Sequence, residues 1–181
     1  MTKRRKPTDY VNNKDFYDAL VLYFQEVKEA EESGEEKPQI PDYIVECIMQ
    51  IATRLSYKPN FIGYAFREDM VSDGIEDAIR RIHNFKPKYK NPFAYFTQII
   101  FYAMVRRIQK EKKELYTKHK LIQVTSIMGT VAHNHDRTSG QADLNFLDPD
   151  NEYMSDFVVE YEKSIEKKKN LKKEKDSKDL S

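Results

Sequence analysis

The sequence is poor in the residues that build turn-rich or disulfide-stapled folds. It contains 5 Gly and 7 Pro in 181 residues, too few for a fold of many short strands and tight turns. The single cysteine, Cys47, excludes an internal disulfide, and its apolar helical setting predicts a buried free thiol. No apolar run approaches the roughly 18 residues of a membrane-spanning helix. These absences favour a helical protein of a reducing compartment.

The start of the chain is basic but is followed by no apolar stretch. We therefore expect no secretion signal, and predict that residues 1–10 form a flexible basic arm. With no candidate membrane span and no disulfide, the expected location is the cytoplasm, with no membrane partner.

Charge is abundant but segregated along the chain. Charged residues make up 34% of the sequence, yet the net charge is only +1. Ten Lys or Arg and two Glu lie between Lys86 and Lys120, a local net charge of +8. Seven acids and no base lie between Asp143 and Glu162. The basic segment points to a polyanionic partner that the overall charge conceals.

Apolar residues recur at spacings of three and four, which predicts an all-α helical bundle over residues 11–120. A first helix follows a cap at Asn12 or Asn13, with core positions Phe16, Leu20, Phe24 and Val27. A second begins near Asp42, and a third runs from about Arg67 to His83. A fourth follows the cap Asn91 and Pro92 and ends near Lys118. Residues 121–181 are predicted as loop, a helix near 151–168, and a solvated lysine-rich tail.

The fourth helix is predicted to have two different faces. Phe93, Ile100, Met104 and Ile108 fall on one side, with Phe96 at its margin, and that side can be buried. The opposite side carries Tyr95, Gln98, Tyr102, Arg106, Gln109 and Lys113. Rings can stack on unpaired bases and cations can hold phosphates, so this side favours nucleic-acid binding. The alternatives are tyrosines at the core margin and a basic helix end that complements the helix dipole.

The segment EDMVSDGIEDAIRRIHNFKPKYKNPFAYFTQIIFYAMVRRIQKEKK resembles region two of bacterial sigma factors. It is more similar to the late-gene sigma factors of T-even phages and their cyanophage relatives. The pieces that carry the resemblance are YVNNK at 10, MVSDGIE at 70, HNF at 83, KYKNPFAY at 88 and TQ at 97. The resemblance covers roughly residues 10–118.

The resemblance implies a function in transcription initiation. Region two binds the clamp coiled coil of the largest subunit of RNA polymerase and reads the −10 promoter element as the strands separate. Residues at matching positions would face polymerase: Asp69, Ser72, Asp73, Ile75, Glu76 and Ile79. Four others would face the strand being opened: Tyr95, Thr97, Gln98 and Ile99. Tyr102, Val105 and Arg106 would lie near the upstream edge of the duplex. The basic end of the helix adds further candidate DNA contacts: Arg107, Gln109, Lys110 and Lys113.

The chain also departs from that family. The paired Trp of housekeeping sigma factors is Gln98 and Ile99 here, and an Asn of the polymerase-facing helix is Ile75. Nothing resembles region four, which reads the −35 element. We therefore expect recognition of a short AT-rich −10-like element alone.

Late-gene sigma factors of phages resemble one another in an apolar, acidic C-terminal end that docks on the DNA sliding clamp. The end of this chain, KDSKDLS, does not match. The internal stretch DLNFLDPD has the same character, which implies a clamp contact through Leu144, Phe146 and Leu147, or else a loop with apolar anchors. A late-transcription co-activator is a further implied partner.

No pattern indicates an enzyme. AHNHD at 132–136 offers two histidines without a companion cysteine pair or metalloprotease motif, so we predict a polar loop and no metal. Asp69 and Asp73 lie one helical turn apart, but without a histidine or nucleophile nearby they favour an exposed acidic face. No cofactor is expected.

The sequence thus predicts a phage late-transcription sigma factor that acts in an infected bacterial host cell. It would bind the polymerase core, recognise a −10-like element and assist promoter opening. The alternatives are a helical protein that binds nucleic acid without polymerase, and a structural or adaptor protein whose aromatic residues are core.

Overall fold

The computed structural model describes residues 10–132 and 152–178, and no strand occurs among them. Five helices account for most of these residues: α1 Asn13–Ser33, α2 Asp42–Ser56, α3 Arg67–Arg80, α4 Pro92–Ala132 and α5 Glu152–Lys178. Two short 3₁₀ turns, Ile82–Asn84 and Pro87–Tyr89, connect α3 to α4. The predicted all-α class is confirmed.

Helix α1 begins and ends at residues with recognisable local chemistry. The Asn12 side chain accepts a hydrogen bond from the backbone N–H of Lys14 at 3.0 Å, which satisfies one of the free donors of the first turn. Gly34 ends the helix with φ of 73°, a left-handed conformation that favours glycine, and its N–H donates to the Ala30 carbonyl. The linker that follows leads to α2 at Asp42, as the sequence predicts.

Helix α4 is longer than the sequence indicates. We predicted an end near Lys118 and a loop from 121, but the helix continues through Gly129 to Ala132. One glycine in a helix interior costs about 1 kcal/mol relative to alanine and does not by itself end a helix. The prediction of a loop over residues 121–132 is therefore wrong.

Helix α5 contains the predicted helix near 151–168 and continues to Lys178, over most of the lysine-rich tail. The segment has neither Gly nor Pro after Asp150, and its Lys, Glu and Leu residues have helix propensities close to that of Ala. The tail was predicted as solvated chain because it has no apolar periodicity. A helix made of charged residues can form without that periodicity. At α3 the difference is opposite, since the helix ends at Arg80 rather than at His83.

The chain divides into two compact units, Met1–Gln109 and Lys110–Ser181. The first unit contains the main hydrophobic core, in which α2 packs against α1 and α3. Fully buried side chains include Phe16 and Leu20 of α1, Ile48 of α2, and Ile100 and Met104 of α4. Cys47 is buried and free, as predicted.

Two aromatic positions in the first unit differ from the predicted pattern. Tyr23 is buried and Phe24 only partly so, although the sequence placed Phe24 in the core. Phe96 lies at the centre of the core rather than at its margin, with its ring centroid 5.4 Å from that of Phe16. The buried face of α4 is therefore shifted slightly around the helix axis from the face that the sequence predicted.

The second unit joins the C-terminal part of α4 to α5. The rings of Tyr116 and Tyr161 lie 4.9 Å apart, and the Tyr116 hydroxyl donates to the Glu162 carboxylate at 2.9 Å. Lys120 forms an ion pair with the same carboxylate at 3.0 Å. Val158 is buried within this unit. The unit boundary at Gln109 lies inside the helix that we had assigned to one domain ending at Lys120.

Within the described ranges, none of the helices combines the length and apolar character that crossing a bilayer requires.

Candidate nucleic-acid interface

The start of α4 is fixed by two asparagines, one local and one distant in sequence. Asn91 Oδ1 accepts a hydrogen bond from the Ala94 N–H at 3.1 Å, which is the predicted cap. Asn13 of α1 accepts from the Phe93 N–H, also at 3.1 Å. The first turn of α4 is therefore held against α1. This contact fixes how α4 is rotated about its axis, and so which of its later residues face the core.

One side of α4 carries an exposed polar row within the first unit. Gln98, Tyr102, Arg106 and Gln109 are all exposed and follow one another at steps of four, four and three residues. The Tyr102 side chain is 52% exposed, so its ring is available for stacking. The structure thus brings these four predicted residues together on one face. We call them the α4 polar row.

Ile99 does not belong to this face. It is 8% exposed and forms part of the core together with Ile100. Ile99 adjoins Ile100 on the helix, and the shift of the core toward Phe96 places it inside. We therefore remove Ile99 from the candidate DNA-contacting residues. Val105 is only partly exposed and packs against the same core.

Tyr95 is held by the protein itself. Its hydroxyl donates to the Arg81 carbonyl at 3.0 Å, and its ring packs against Phe85 and Phe96 at centroid distances of 5.3 and 5.1 Å. Burial raises the pKa of Tyr95 above its usual value, and the nearby Arg81 charge opposes that change. Tyr95 can border a binding surface, but its ring is not free to receive a base.

Thr97 lies beside the α4 polar row but turns its hydroxyl inward. The Oγ1 atom is enclosed and has no hydrogen-bond partner among the described residues. Enclosed hydroxyls usually have a partner. Thr97 is partly exposed, but its hydroxyl is not directed to solvent.

The predicted polymerase-facing residues lie along α3. Asp69, Ser72 and Glu76 are exposed, and Asp73 is partly exposed. The Ser72 hydroxyl donates to the Glu68 carbonyl at 3.1 Å, and Glu76 forms an ion pair with Arg80 one turn away. Ile75 and Ile79 are partly buried and pack against the core. The accessible part of this face is therefore acidic, with an apolar edge.

Arg107 is engaged by the acidic face of α3. Its guanidinium contacts Asp69 at 3.0 Å and Asp73 at 3.2 Å, and its side chain is 20% exposed. The two aspartates were predicted to contact polymerase and Arg107 to contact DNA. In the structure they contact one another, so Arg107 connects α3 to α4 and is not presented to a ligand.

Arg106 differs from its neighbour. Its side chain is 49% exposed and contacts Asp77, a residue that sequence reasoning did not select. Arginine has five donors, and this pairing engages one nitrogen, so Arg106 retains donors for an anion. Asp69, Asp73 and Asp77 recur every four residues on α3, a signal that could have predicted an acidic strip along that helix, although not that it faces the arginines.

Helices α3 and α4 approach closely where the acidic strip meets the core. A Cβ atom on Gly74 would lie 2.9 Å from Cγ2 of Ile100, closer than real Cβ contacts. The absence of a side chain at Gly74 lets the two helices come near enough for Arg107 to reach Asp69 and Asp73. Gly74 therefore supports the ion cluster without taking part in it.

The loop before α4 adds exposed lysines and an exposed tyrosine, of which the sequence-based prediction considered only the lysines, as part of the net charge. Lys86, Lys88 and Lys90 are exposed, and the Tyr89 side chain is 63% exposed. The Lys88 ammonium lies 5.4 Å from the centre of the Tyr89 ring. A ring surrounded by cations is a suitable surface for an unpaired base and its phosphate. Their alternation of Lys and Tyr was a signal visible in the sequence.

The remaining predicted site residues lie elsewhere. Lys110 and Lys113 belong to the second unit, where both are exposed and Lys110 lies 3.9 Å from Glu114. Leu144, Phe146 and Leu147, the candidate clamp contacts, lie outside the described residues. The AHNHD motif does so too, apart from Ala132. No group of three or more potential metal ligands occurs within the described ranges.

Neither a scan against protein-family models nor a search of curated proteins finds a match to this chain.

Proposed function

We propose that this chain is a sigma factor of the region-two type that directs a bacterial-type RNA polymerase to phage late promoters. The acidic face of α3 binds the polymerase clamp coiled coil. The α4 polar row and the loop before it engage a −10-like AT-rich element as it opens. The observation that carries the proposal is the α4 polar row, an exposed sequence of amide, ring, cation and amide on one helix face.

The number of exposed aromatic rings limits how much of the free-energy cost of strand separation this chain can offset by base stacking. Opening costs about 1.4 kcal/mol per base-pair step, and stacking one base on a ring returns about 1–3 kcal/mol. Tyr102 of the α4 polar row and Tyr89 of the loop before α4 are exposed, whereas Tyr95 is held by Arg81. Two rings return about 2–6 kcal/mol, which offsets roughly one to four steps, so opening a whole promoter element requires polymerase. This limit favours a polymerase-dependent factor over a protein that opens DNA alone.

The test is co-elution of the chain with bacterial core RNA polymerase on gel filtration. Asp69→Lys with Glu76→Lys should abolish co-elution, because both acids are exposed on α3 and reversal repels a basic partner surface. Asp73 is left intact so that Arg107 keeps one of its carboxylates. Circular dichroism of the variant checks that it remains helical.

The matched control is Glu26→Lys with Glu29→Lys, which makes the same charge change on exposed positions of α1. It should co-elute like the unaltered chain. Failure of the unaltered chain to bind a transcriptionally active core would refute the proposal. If the chain then still bound DNA, the polymerase-independent alternative would hold.

A further inference from the structure

The C-terminal half of α5 carries many lysines that nothing in the proposed function uses. Between residues 163 and 173 there are six lysines and one acid, Glu166. All six are exposed: Lys163, Lys167, Lys168, Lys169, Lys172 and Lys173. We call them the α5 lysine set. It lies in the second unit and includes none of the residues assigned to polymerase or to the −10 element.

The lysines of this set lack the acidic partners that several other helical lysines have. Lys28 pairs with Glu32, Lys110 with Glu114, and Lys120 with Glu162. Among the side chains described up to Lys173, no carboxylate lies within ion-pairing distance of any member of the set. The six charges are therefore not paired by any of these side chains.

The spacing of these lysines destabilises α5 when nothing is bound to it, because like charges lie next to one another on the helix surface. Lys163 and Lys167 are four residues apart, as are Lys168 and Lys172, and Lys169 and Lys173. Like charges at this spacing destabilise a helix by about 0.2–0.5 kcal/mol per pair. A bound polyanion removes this repulsion, so binding and helix formation in this segment favour each other.

The packing of α5 leaves this half of the helix available. Contacts with α4 are made by the first half, through Tyr161 and Glu162, and Val158 is buried there. After Ile165 the one apolar residue up to Lys173 is Leu171, which is 49% exposed. An isolated leucine does not form the apolar face that a membrane-surface helix requires. The segment is therefore suited to binding by charge.

The distribution of the lysines around the helix indicates the shape of the partner. At the helical repeat of 3.6 residues, the six side chains project on all sides of α5. A flat acidic protein surface would engage one side. The major groove of duplex DNA is about 12 Å wide, close to the diameter of a helix, and has a phosphate backbone on both flanks. The segment contains no aromatic residue for stacking on single strands.

We propose that the C-terminal half of α5 binds duplex DNA through backbone phosphates, without sequence preference, by means of the α5 lysine set. Lysine ammonium groups neutralise phosphates as point charges and release condensed counterions. This contact would add affinity for duplex DNA. It does not depend on polymerase binding, so it goes beyond the proposed function.

The test measures binding of the full chain to a fluorescent duplex of about 20 base pairs, without polymerase, between about 50 and 200 mM salt. The variant changes Lys167, Lys168, Lys172 and Lys173 to Gln. We expect affinity at the lowest salt to fall about tenfold or more, and the salt slope to fall by roughly 1 for each lysine that contacts a phosphate. Glutamine is a good helix former, so helix content should be retained.

The control variant changes Lys14, Lys28, Lys37 and Lys58 of the first unit to Gln, so both variants have the same net charge. It should bind the duplex like the unaltered chain. Equal affinity and equal slope for the two variants would overturn the proposal. A second result would also overturn it: an α5 variant that no longer binds an acidic polypeptide such as polyglutamate but binds the duplex unchanged. That result would assign the lysines to a protein partner. Polymerase co-elution of the α5 variant, measured in parallel, tests the sigma-factor proposal separately.

Discussion

Gly74 shows how one missing methyl group determines the distance between two helices. In its place a Cβ would meet Cγ2 of Ile100, which is fully buried and branched at its own Cβ. A β-branched side chain in a helix has one strongly preferred rotamer, so it cannot turn away. Space at this position is therefore limited by a rigid neighbour rather than by a flexible side chain.

We predict that Gly74→Ala lowers the free energy of unfolding by about 1 kcal/mol. Overpacking costs about 1–3 kcal/mol, and the better helix propensity of alanine returns about 1. Chemical denaturation would measure the change. Adding Ile100→Leu should restore part of the loss because leucine has no Cγ2 branch at Cβ, whereas adding Ile100→Val should not, since valine keeps it. Gly63→Ala, with nothing within 4 Å, is the control and should not destabilise by overpacking.

At the scale of elements, α3 and α4 are connected by an ion cluster that separates the roles of two adjacent arginines. Arg107 is mostly covered and contacts Asp69 and Asp73, whereas Arg106 is about half exposed and contacts Asp77. Neighbouring residues on a helix point about 100° apart, so one is directed along α3 and the other toward solvent. The sequence pair RR conceals this difference.

We expect the two arginines to give opposite results in paired substitutions. Arg107→Gln should lower the free energy of unfolding by about 0.5–1 kcal/mol, the upper range for partly exposed ion pairs, with little direct effect on DNA affinity. Arg106→Gln should change stability less but weaken binding of the chain to −10-like DNA and reduce the salt slope by about 1. Denaturation and anisotropy on both proteins check this. Equal loss of DNA affinity would show that Arg107 leaves its aspartates to bind DNA.

Helices α4 and α5 are connected by a cluster around Glu162 in the second unit. The Lys120 ammonium, and then the Tyr116 hydroxyl, hold the pKa of Glu162 below its usual value of 4.5. A carboxyl with a lower pKa in the folded state stabilises that state above its unfolded pKa. The contribution is lost as the pH falls through the lower folded value.

We therefore predict that acidification from about pH 5 to pH 3 loosens the contact between the two helices. The ring NMR signals of Tyr116 and Tyr161 should shift over this range, with a midpoint below 4.5. Glu162→Gln should remove the acid-dependent step, and Glu166→Gln, on the next turn of α5, should leave it in place. A step that persists in Glu162→Gln would assign it to another group.

Sequence patterns predicted helix starts better than helix ends and pair contacts. Asn12, Asp42 and Asn91 with Pro92 mark starts by local chemistry, and α1, α2 and α4 begin there. The sequence did not predict the ends of α4 and α5, because Gly129 and the lysine run resemble a loop and a tail. Where these helices end depends on the small free-energy difference between helix and coil at each residue, which the sequence pattern does not give. The contact of Arg107 with Asp69 and Asp73 could not be predicted, since it depends on the approach of α3 to α4 at Gly74.

At the scale of the whole molecule, the two units differ in how much they bury. Every member of the main core lies between Val11 and Met104, inside the first unit. Within its described residues the second unit buries Val158 and His119. Both ring nitrogens of His119 lack a hydrogen-bond partner there. The first unit therefore has a hydrophobic core of its own, large enough for it to fold without the second.

We predict that a chain ending at Lys120 unfolds cooperatively on heating, with a midpoint within a few degrees of that of the full protein. A peptide of residues 110–181 should show marginal helix content in water, because isolated helices depend on packing for most of their stability. Circular dichroism at several temperatures measures both. Loss of cooperative unfolding in the shortened chain would show that the second unit completes the core of the first.

The hydrogen bond from the Phe93 N–H to Asn13 joins residues 80 positions apart. During synthesis α1 leaves the ribosome well before the start of α4, so it can pack against α2 before Phe96 of α4 is available to Phe16. Part of the apolar surface of α1 therefore stays uncovered until the fourth helix has been made. Exchange of the Phe93 amide with solvent would then mark the moment at which the first and fourth helices meet.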